Sequence, residues 1–461
     1  MISRNTLIPE YSLVQKYNVP APRYTSYPTA VEFEEVSNPE ELITTYNRGS
    51  QRPLSLYFHI PFCFSLCWYC GCTKIITKDQ DRGDRYLDDL EREMDLLLRR
   101  WSHASSEVVQ IHFGGGTPTF LRPDQILRLG EAISSRFTLS GSGVEYSVEV
   151  DPRHCDRERA EALAQIGCNR ASLGVQDTNP EVQEAIHRIQ PFDQTAEATH
   201  HLRAAGIHDI NFDLIYGLPR QTLDTFDKTL EDVLTLEPNR LAIYSYAHLP
   251  NLMPSQRLLN ESEFPSPEMK LAMISGAVGK LQTRGMYFIG MDHFAREDDS
   301  LYKALQDGSL QRNFQGYSTF AETDMFALGM SGISQLDELY YQNSKDLGSY
   351  YQAIDNGKLP IVKKLPLTRD DRIRRDLIMR IMCRQPLSWD DFSQTWEIDS
   401  ESYFRRELAE LEPFVGDGLL KLDQRGLTVS ETGRFFLRNM AMVFDARLRL
   451  KGEPVPFSKA V

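Results

Sequence analysis

The sequence lacks a long apolar run. No stretch approaches the roughly 20 apolar residues that a membrane-spanning helix needs, and residues 1–9 contain no apolar segment of the kind found in secretory signals. We therefore expect a cytoplasmic protein that has no membrane partner. Its 461 residues, of which 41% are hydrophobic, suffice for two or three globular domains.

Positive charge is also in deficit. The chain has 51 Lys and Arg against 65 Asp and Glu, which gives a formal net charge of −14. Such a charge argues against nucleic acid or an anionic membrane surface as the main partner. Any anionic substrate would have to be held by a local group of basic residues.

Cysteine is scarce, and its distribution is uneven. There are seven cysteines, and four of them lie between Cys63 and Cys72. An odd number concentrated in one loop argues against a set of disulfides and for a reducing compartment. The other three, Cys155, Cys168 and Cys383, are scattered, so we expect them to be small buried apolar residues.

The cysteine-rich stretch has the spacing Cys63-x3-Cys67-x2-Cys70. Thiolates in one loop can hold an iron-sulfur cluster, with each cysteine binding a different iron. Three such ligands would leave one iron of a four-iron cluster open for chemistry. The alternative is a structural zinc site, which usually takes pairs of ligands from separated positions. Four cysteines crowded into one loop fit that pattern poorly.

From residue 54 to about residue 250, strand-like and helical patterns alternate. The strand-like runs are rich in β-branched and aromatic residues and cover residues 54–60, 108–113, 145–150, 170–176, 210–216 and 241–247. Apolar residues with helical spacing lie between them, for example Leu87, Leu90 and Met94. This alternation predicts an α/β parallel sheet with right-handed crossovers, either an open doubly wound sheet or a barrel.

Glycines and polar residues follow the predicted strands, where a parallel sheet or barrel carries its functional groups. The second strand runs into Gly114-Gly115-Gly116, which serves either a tight turn or the close approach of a ligand to the backbone. Glu149 and Asp213 lie near the ends of the third and fifth strands. They are either solvated carboxylates or acceptors for the hydroxyls of a ribose.

The flanking segments differ from this pattern. The first fifty or so residues show little helical periodicity, and residues 20–29 predict an extended strap that is either a surface arm or part of the mouth of the site. After the sixth strand, residues 290–295, 312–319 and 329–334 combine Asn, Gln, Gly and aromatic residues. That composition predicts loops that contact a ligand.

A boundary is predicted near residue 366, and apolar residues at helical spacing predict a helix over residues 373–381. Residues 418–429 predict a hairpin that turns at Arg425-Gly426, so the last module is mainly helical and winged-helix-like. Its basic and acidic residues are equal in number, which favours a domain that packs on the rest of the protein over a DNA-binding domain. The predicted domains are residues 1–50, 51–365 and 366–461.

The cysteine loop resembles that of the radical S-adenosylmethionine (SAM) enzymes, in which the amino and carboxylate groups of SAM chelate the open iron. Further blocks, in the same order along nearly the whole chain, resemble the oxygen-independent coproporphyrinogen III oxidases (coproporphyrinogen dehydrogenases). These blocks are residues 22–28, 70–72, 114–119, 174–177, 213–219, 246–250, 291–295 and 313–317.

The resemblance implies a partial (β/α)6 barrel with an N-terminal arm and a mainly helical C-terminal domain. It also implies the oxidative decarboxylation of coproporphyrinogen III, which turns the propionates of rings A and B into vinyl groups and gives protoporphyrinogen IX. A propionate β-carbon has no acidic proton, so the reaction needs a radical supplied by a cofactor. The implied partner is a low-potential electron donor of the flavodoxin or ferredoxin type, and we expect a monomer.

The resemblance further implies roles for single residues. Cys63, Cys67 and Cys70 match the ligands of one 4Fe-4S cluster, whereas Cys72 matches a cysteine that is not a ligand. Two SAM molecules per chain are implied. The positions that match their contacts are Tyr57, Tyr69, Gly115, Gly116, Thr117, Glu149, Gln176, Arg188, Asp213, Ala247 and Ile333. Tyr57 and Glu149 are also the catalytic candidates.

Several alternatives stay open. Arg188 and Asp213 either hold the second SAM or form an ion pair that supports the barrel wall. The substrate carries four carboxylates, for which Arg23 and Arg312 are the candidate partners. The alternatives to the oxidase are a haem-binding chaperone of the same superfamily and a radical SAM enzyme that acts on haem. Cys72, the strap and the C-terminal module favour the oxidase over the chaperone.

Overall fold

The computed structural model describes residues 8–47, 52–451 and 457–459. The domain boundary predicted at residue 50 lies outside these ranges. The strands of the described residues are β1 Glu34–Glu35, β2 Leu54–Ile60, β3 Phe62–Cys63, β4 Ile75–Ile76, β5 Val108–Gly115, β6 Glu145–Val150, β7 Arg170–Gln176, β8 Asp209–Tyr216, β9 Arg240–Ser245, β10 Met286–Gly290, β11 His293–Arg296, β12 Gln311–Asn313, β13 Gly316–Ser318, β14 Asp324–Leu328, β15 Ile333–Gln335, β16 Leu339–Asn343, β17 Ile361–Pro366, β18 Leu387–Ser388, β19 Leu420–Asp423 and β20 Gly426–Val429.

The helices cover the connections between the strands and most of the C-terminal module. They are α1 Tyr11–Tyr17, α2 Pro39–Tyr46, α3 Arg82–Arg100, α4 Pro123–Ser134, α5 Arg157–Gln165, α6 Pro180–Ala185, α7 Phe192–Ala204, α8 Leu223–Thr235, α9 Pro267–Thr283, α10 Ser300–Asp307, α11 Leu347–Asp355, α12 Arg369–Met382, α13 Trp389–Trp396, α14 Ser400–Tyr403, α15 Arg405–Glu410, α16 Glu412–Gly416, α17 Leu437–Val443 and α18 Ala446–Leu450.

Six parallel strands lie side by side in chain order, β2-β5-β6-β7-β8-β9, at the centre of a 13-stranded sheet. At least one helix lies along the chain between each of these strands and the next of the six. The predicted α/β alternation is therefore confirmed, and the strand bounds agree with the prediction to within about two residues.

The two faces of the central strands have different environments. In β7 and β8 every second residue is buried, and the residues between them are partly exposed. Successive side chains of a strand point to opposite faces, so the buried set, which includes Leu173 and Phe212, packs in the main hydrophobic core. The other set forms a polar inner face that a ligand can reach.

Shorter strands extend the sheet at both edges. β14 pairs with β2 and is followed by β15, β16, β17 and β1, while β11 and β10 follow β9 at the other edge. The prediction of loops is therefore wrong for most of residues 290–295 and 312–319, which contain β11 and the hairpin β12-β13. These strands have only three or four residues, too few to show a clear alternating pattern.

The C-terminal module packs around a second hydrophobic core, to which α12, α13 and α17 contribute. Its hairpin β19-β20 pairs Asp423 with Gly426, so it turns at Gln424-Arg425 and not at Arg425-Gly426 as predicted. Gly426 is needed for a different reason. A side chain at this position would collide with the carbonyl oxygen of Leu387 on β18.

The N-terminal segment belongs to this second core. Tyr17 of α1 and both Tyr24 and Tyr27 of the strap are buried in it. The strap is irregular as predicted, but α1 and α2 on either side of it contradict the expectation of little helical structure. The signal for α2 was present in the sequence, because the side chain of Asn38 caps the helix and Pro39 occupies its first turn.

The scattered cysteines occupy the apolar interior. Cys155 and Cys168 lie in the main core and Cys383 in a smaller cluster, and all three are buried as predicted. Within the described ranges, no helix combines the length and the apolar character that a bilayer crossing requires.

Candidate active site

The inner face of the central sheet presents polar and aromatic side chains from neighbouring strands. Tyr57, His112, Glu149, Asp213 and Tyr244 occupy partly exposed positions on β2, β5, β6, β8 and β9. Tyr57 and His112 are directly paired, and their rings stack with centroids 5.8 Å apart. Together these side chains line a polar cleft, in a fold class that binds ligands at the carboxyl ends of its strands.

The cysteine loop is closed at its base by a small sheet. β3 ends at Cys63 and pairs with β4, which follows the loop. Cys67 is buried, Cys63 and Cys70 are partly buried, and Cys72 is exposed. The three predicted ligands are therefore enclosed more fully than the fourth cysteine of the loop.

Two guanidinium groups face the thiol of Cys67. Nη1 of Arg188 lies 3.5 Å and Nη2 of Arg153 lies 3.8 Å from its sulfur. Both arginines also bind Asp151, at 3.2 Å and 2.6 Å. Burial opposes the ionisation of Asp151, but the two arginines hold its pKa well below the usual range. Two cations against one carboxylate leave a net positive charge beside Cys67.

The other two predicted ligands also receive hydrogen bonds. The thiol of Cys72 donates to Cys70 and lowers the pKa of Cys70 below its usual value. Burial raises the pKa of Cys63 to about 11, although Oγ1 of Thr117 donates to its sulfur at 3.4 Å.

These cysteines fit an iron-sulfur cluster better than a single metal ion. In the described part of the chain, no three His, Cys, Asp or Glu side chains are grouped so that they could hold one metal ion. A 4Fe-4S cluster spaces its cysteine ligands more widely than a single ion does, because each cysteine binds a different iron. The positive charge beside Cys67 suits a cluster that carries several thiolates.

The glycine loop packs against the protein itself. The amide of Gly115 donates to Oε2 of Glu149 at 3.1 Å, and the amide of Gly116 donates to a carbonyl at the end of β2 at 2.8 Å. Gly115 has a φ of 115°, and a side chain there would collide with the ring of His59. A side chain at Gly116 would collide with the backbone of Pro61. Close packing of the glycine loop on the start of the cysteine loop therefore requires these glycines.

Glu149 is kept ionised in the cleft. Its carboxylate accepts from Gly115 and lies 3.4 Å from Nε2 of His112. Burial would raise the pKa of Glu149, but His112 and the amide of Gly115 hold it below the usual value. Nδ1 of His112 lies 2.6 Å from Oγ of Ser147, which orients the ring. Glu149 is therefore available as a hydrogen-bond acceptor at neutral pH.

Among the described residues, the hydrogen-bond donors to Asp213 are neutral. It accepts from Oγ of Ser172 at 2.8 Å and from Nδ2 of Asn211 at 2.9 Å, and burial raises its pKa to about 6. Arg188 instead donates to the carbonyl of Gly174 at 2.6 Å and to groups of the cysteine loop site. Arg188 and Asp213 both lie in the described ranges, and the ion pair considered for them is not formed.

Tyr57 begins a chain of hydrogen bonds. Its hydroxyl lies 3.2 Å from Nδ1 of His59, whose Nε2 lies 3.0 Å from the carbonyl oxygen of Thr73. A carbonyl only accepts, so Nε2 of His59 carries the proton and Nδ1 accepts from Tyr57. Burial lowers the pKa of His59 and keeps its ring neutral. The hydroxyl of Tyr57 is thus held in a defined position on the inner face.

The remaining predicted SAM contacts surround the cleft. Nε2 of Gln256 lies 3.0 Å from the carbonyl of Tyr69 and 3.3 Å from that of Ala247, so it joins the cysteine loop to the segment after β9. Gln176 follows an irregularity in the pairing of β7 with β8 and has a φ of 67°. Ile333 lies on β15, two strands from β2. The fold therefore distributes these candidates over both sides of the inner face.

The two candidate partners of the substrate differ in their surroundings. Arg23 forms an ion pair with Asp292 and lies over the ring of Tyr244 at 5.7 Å. Arg312 is buried, and its Nε donates to the carbonyl of Tyr24 in the strap at 3.1 Å. Arg23 therefore reaches the inner face of the sheet, whereas Arg312 holds the strap.

Four residues of the site were not among the predicted ones: His112, Asp151, Arg153 and Gln256. The sequence could have indicated His112 and Asp151 as site residues, because each is a polar residue in or just after a predicted strand. No sequence pattern could have indicated Arg153 and Gln256, because each contacts a part of the chain that is distant in sequence.

Known proteins resemble this chain over most of its length. Residues 57–233 match the model of the radical SAM superfamily, and residues 367–436 match that of the HemN C-terminal domain. The chain is 44% identical over 442 residues to the oxygen-independent coproporphyrinogen III oxidase of Pseudomonas aeruginosa, with 95% of each chain covered. It is 42% identical over 452 residues to that of Escherichia coli K12, with 98% of each chain covered. The chain belongs to the family of oxygen-independent coproporphyrinogen III oxidases.

The oxidase fold extends over nearly the whole chain. The solved structure of the Escherichia coli coproporphyrinogen III oxidase matches with a TM-score of 0.91 and 41% identity, covering 96% of this chain and 100% of that one. The chain is thus a radical SAM oxidoreductase of haem biosynthesis, an α/β protein with a radical SAM domain and a HemN C-terminal domain. Membership of this superfamily implies a 4Fe-4S cluster and SAM, which the cysteines and arginines around Cys67 fit.

Proposed function

We propose that this oxidase converts the propionates of rings A and B of coproporphyrinogen III to vinyl groups and so forms protoporphyrinogen IX. The observation that carries the proposal is the junction between the cysteine loop and the polar inner face. The glycine loop forms this junction, because Thr117 contacts Cys63 while the amide of Gly115 contacts Glu149. A cluster site and a cleft for an organic ligand are therefore adjacent.

The cluster site consists of Cys63, Cys67 and Cys70. A 4Fe-4S cluster at these thiolates, together with SAM, supplies the one-electron chemistry that removes hydrogen from a carbon with no acidic proton. Arg153 and Arg188 stabilise the added negative charge at this site and thereby raise its reduction potential. Cys72 is not a ligand in this proposal, since it is exposed and hydrogen-bonds to Cys70.

Glu149 and Asp213 accept hydrogen bonds from the cofactors. Glu149, which is ionised, suits the ribose hydroxyls of one SAM. Asp213 and Gln176 lie on later strands and suit a second SAM, which gives two per chain. The other proposed contacts are Tyr57, Tyr69, Gly115, Gly116, Thr117, Arg188, Ala247 and Ile333. Tyr57, held by His59, and Glu149 are proposed as the catalytic groups that position the reacting carbon.

Further features complete the proposal. The six central strands and their helices are taken as a partial (β/α)6 barrel, preceded by the N-terminal arm and followed by a winged-helix-like module. The proposed domains are residues 1–50, 51–365 and 366–461, and two separate hydrophobic cores support the last boundary. A cytoplasmic monomer that takes electrons from a flavodoxin or ferredoxin type donor agrees with the acidic composition and the reduced cysteines.

Anaerobic incubation with coproporphyrinogen III, SAM and a reductant tests the function. Analysis of the oxidised pigments should show protoporphyrin IX, formed only when SAM is present. Haem binding without conversion of coproporphyrinogen would support the chaperone instead. Conversion of haem but not of coproporphyrinogen would support the haem-modifying enzyme.

A further inference from the structure

A cavity of about 440 Å³ lies beside the ends of β8 and β9. Residues of α1, the strap, α9 and the C-terminal module form its walls. Its aromatic and aliphatic lining includes Tyr216, Ile243, Phe264, Met291 and Phe435. Ala247, a proposed SAM contact, also lines this cavity, so it adjoins the proposed reaction site.

The polar lining of the cavity is cationic. The basic residues in it are Arg23, Lys270, Arg434, Arg438 and Lys459, and Asp292 is the one carboxylate that the described residues contribute to the lining. Arg23 already binds Asp292, and Arg434 pairs with Glu431 outside the lining. The cavity therefore concentrates positive charge in a chain whose net charge is strongly negative.

Lys270 has neutral partners in this cavity. Its Nζ donates to the carbonyl of Tyr246 at 3.1 Å and lies 5.8 Å from the ring centre of Tyr216. Burial and the charge of Lys459 lower the pKa of Lys270 to about 8. An ammonium group in such a position lacks compensating negative charge, which an anionic ligand would supply.

Arg438 has a similar surplus of charge. It is buried and donates to the carbonyls of Ala21, Pro22, Ser458 and Lys459. Burial lowers the pKa of Arg438 to about 9. Arg438 thus joins the strap and the last described residues to the cavity wall, and it forms no ion pair with a carboxylate of the described chain.

We propose that this cavity binds a propionate carboxylate of the tetrapyrrole while another propionate reacts in the neighbouring cleft. The inference rests on the proposed function, because the ligand is taken from the chemistry of that substrate. Pyrrole rings are apolar and their propionates are anionic, which matches aromatic walls that also carry basic residues. Lys270 is the direct partner of the carboxylate, and Arg23 and Arg438 position the strap beside it.

Lys270→Met is the main test, because it removes the charge and keeps most of the side-chain length. In anaerobic kinetics its KM for coproporphyrinogen III should rise about tenfold or more, as expected for one lost charge-assisted hydrogen bond. The KM for SAM and the iron-sulfur absorbance should stay at wild-type values. Lys270→Arg should recover most of the affinity for the substrate.

Lys280→Met is the matched control. Lys280 lies on the same helix, α9, but pairs with Asp227 and Glu231 and does not line the cavity. Its KM for coproporphyrinogen III should equal that of the wild type. A wild-type KM in Lys270→Met would overturn the proposal, and so would an equal rise in both variants.

A binding measurement separates this inference from the proposed function. Fluorescence titration with coproporphyrin III and with its tetramethyl ester measures the preference for free carboxylates without requiring turnover. The wild type should bind the acid about tenfold or more tightly than the ester, and Lys270→Met should lose most of that preference. An unchanged preference would overturn the inference even in an active enzyme. If the wild type forms no protoporphyrinogen, the proposed function fails, while the titration still decides whether the cavity binds carboxylates.

Discussion

Protonation of Asp213 should weaken the binding of the proposed second SAM molecule. The carboxylate accepts from Ser172 and Asn211, and burial raises its pKa to about 6. As the pH falls from about 8 to about 5.5, the group therefore changes from fully ionised to mostly neutral. An ionised carboxylate attracts the sulfonium and amine of SAM, whereas the neutral acid does not.

The size of the effect follows from this pKa. If only the ionised form binds the second SAM, the apparent Kd rises about fourfold between pH 8 and pH 5.5. Asp213→Asn lacks the charge at every pH. Its second site should therefore be weaker by about tenfold or more and should not show the acid-dependent loss.

Anaerobic equilibrium dialysis of the reconstituted enzyme with labelled SAM measures both quantities. The wild type should approach two SAM per chain at pH 8, and Asp213→Asn should fall toward one with its iron-sulfur absorbance intact. Because SAM also titrates, the variant measured over the same pH range serves as the control. Saturation of the wild type at one SAM per cluster, or the same pH dependence in both proteins, would refute the reasoning.

Three further predictions concern the cluster and the stability of the fold. Cys67→Ser should abolish iron-sulfur absorbance after anaerobic reconstitution and Cys72→Ser should retain it, whereas loss in both would mean a different ligand set. Arg188→Met removes a cation 3.5 Å from the sulfur of Cys67, so the reduction potential in an EPR-monitored titration should fall by roughly 60 mV. An unchanged reduction potential would show that the charge of Arg188 does not affect the cluster. Burial raises the pKa of Glu93 to about 7. Because the folded state then binds the proton more tightly than the unfolded state, protonation of Glu93 stabilises the fold at low pH. This stabilisation is lost as the pH rises through 7. The contribution of Glu93 to the free energy of unfolding in urea should therefore fall by roughly 2 to 3 kcal/mol from pH 5 to pH 8. Glu93→Gln should make the total fall in the free energy of unfolding over this pH range smaller by about this contribution, and equal slopes in the two proteins would contradict the assignment.

Local patterns in the sequence determined the central sheet and the cysteine loop. Enrichment in β-branched and aromatic residues is a property of neighbouring residues, so β7 and β8 were predicted with nearly their observed bounds. The spacing of Cys63, Cys67 and Cys70 is likewise local, and it indicated a cluster before any contact was known. The strands β11 to β13 were missed because they are too short for a period to show.

Only the tertiary structure decided which groups act on these residues. Arg153 and Arg188 are 86 and 121 positions away from the Cys67 that they face, and no local pattern indicates such a meeting. Two other features also depend on contacts between residues that are distant in sequence. Arg188 and Asp213 form no ion pair, and basic residues gather around Lys270 in one cavity. Coulomb energies and the cost of burying a charge depend on distance and environment in space. The sequence by itself therefore determined which chemistry the chain carries, and the folded structure decided how its charges are paired.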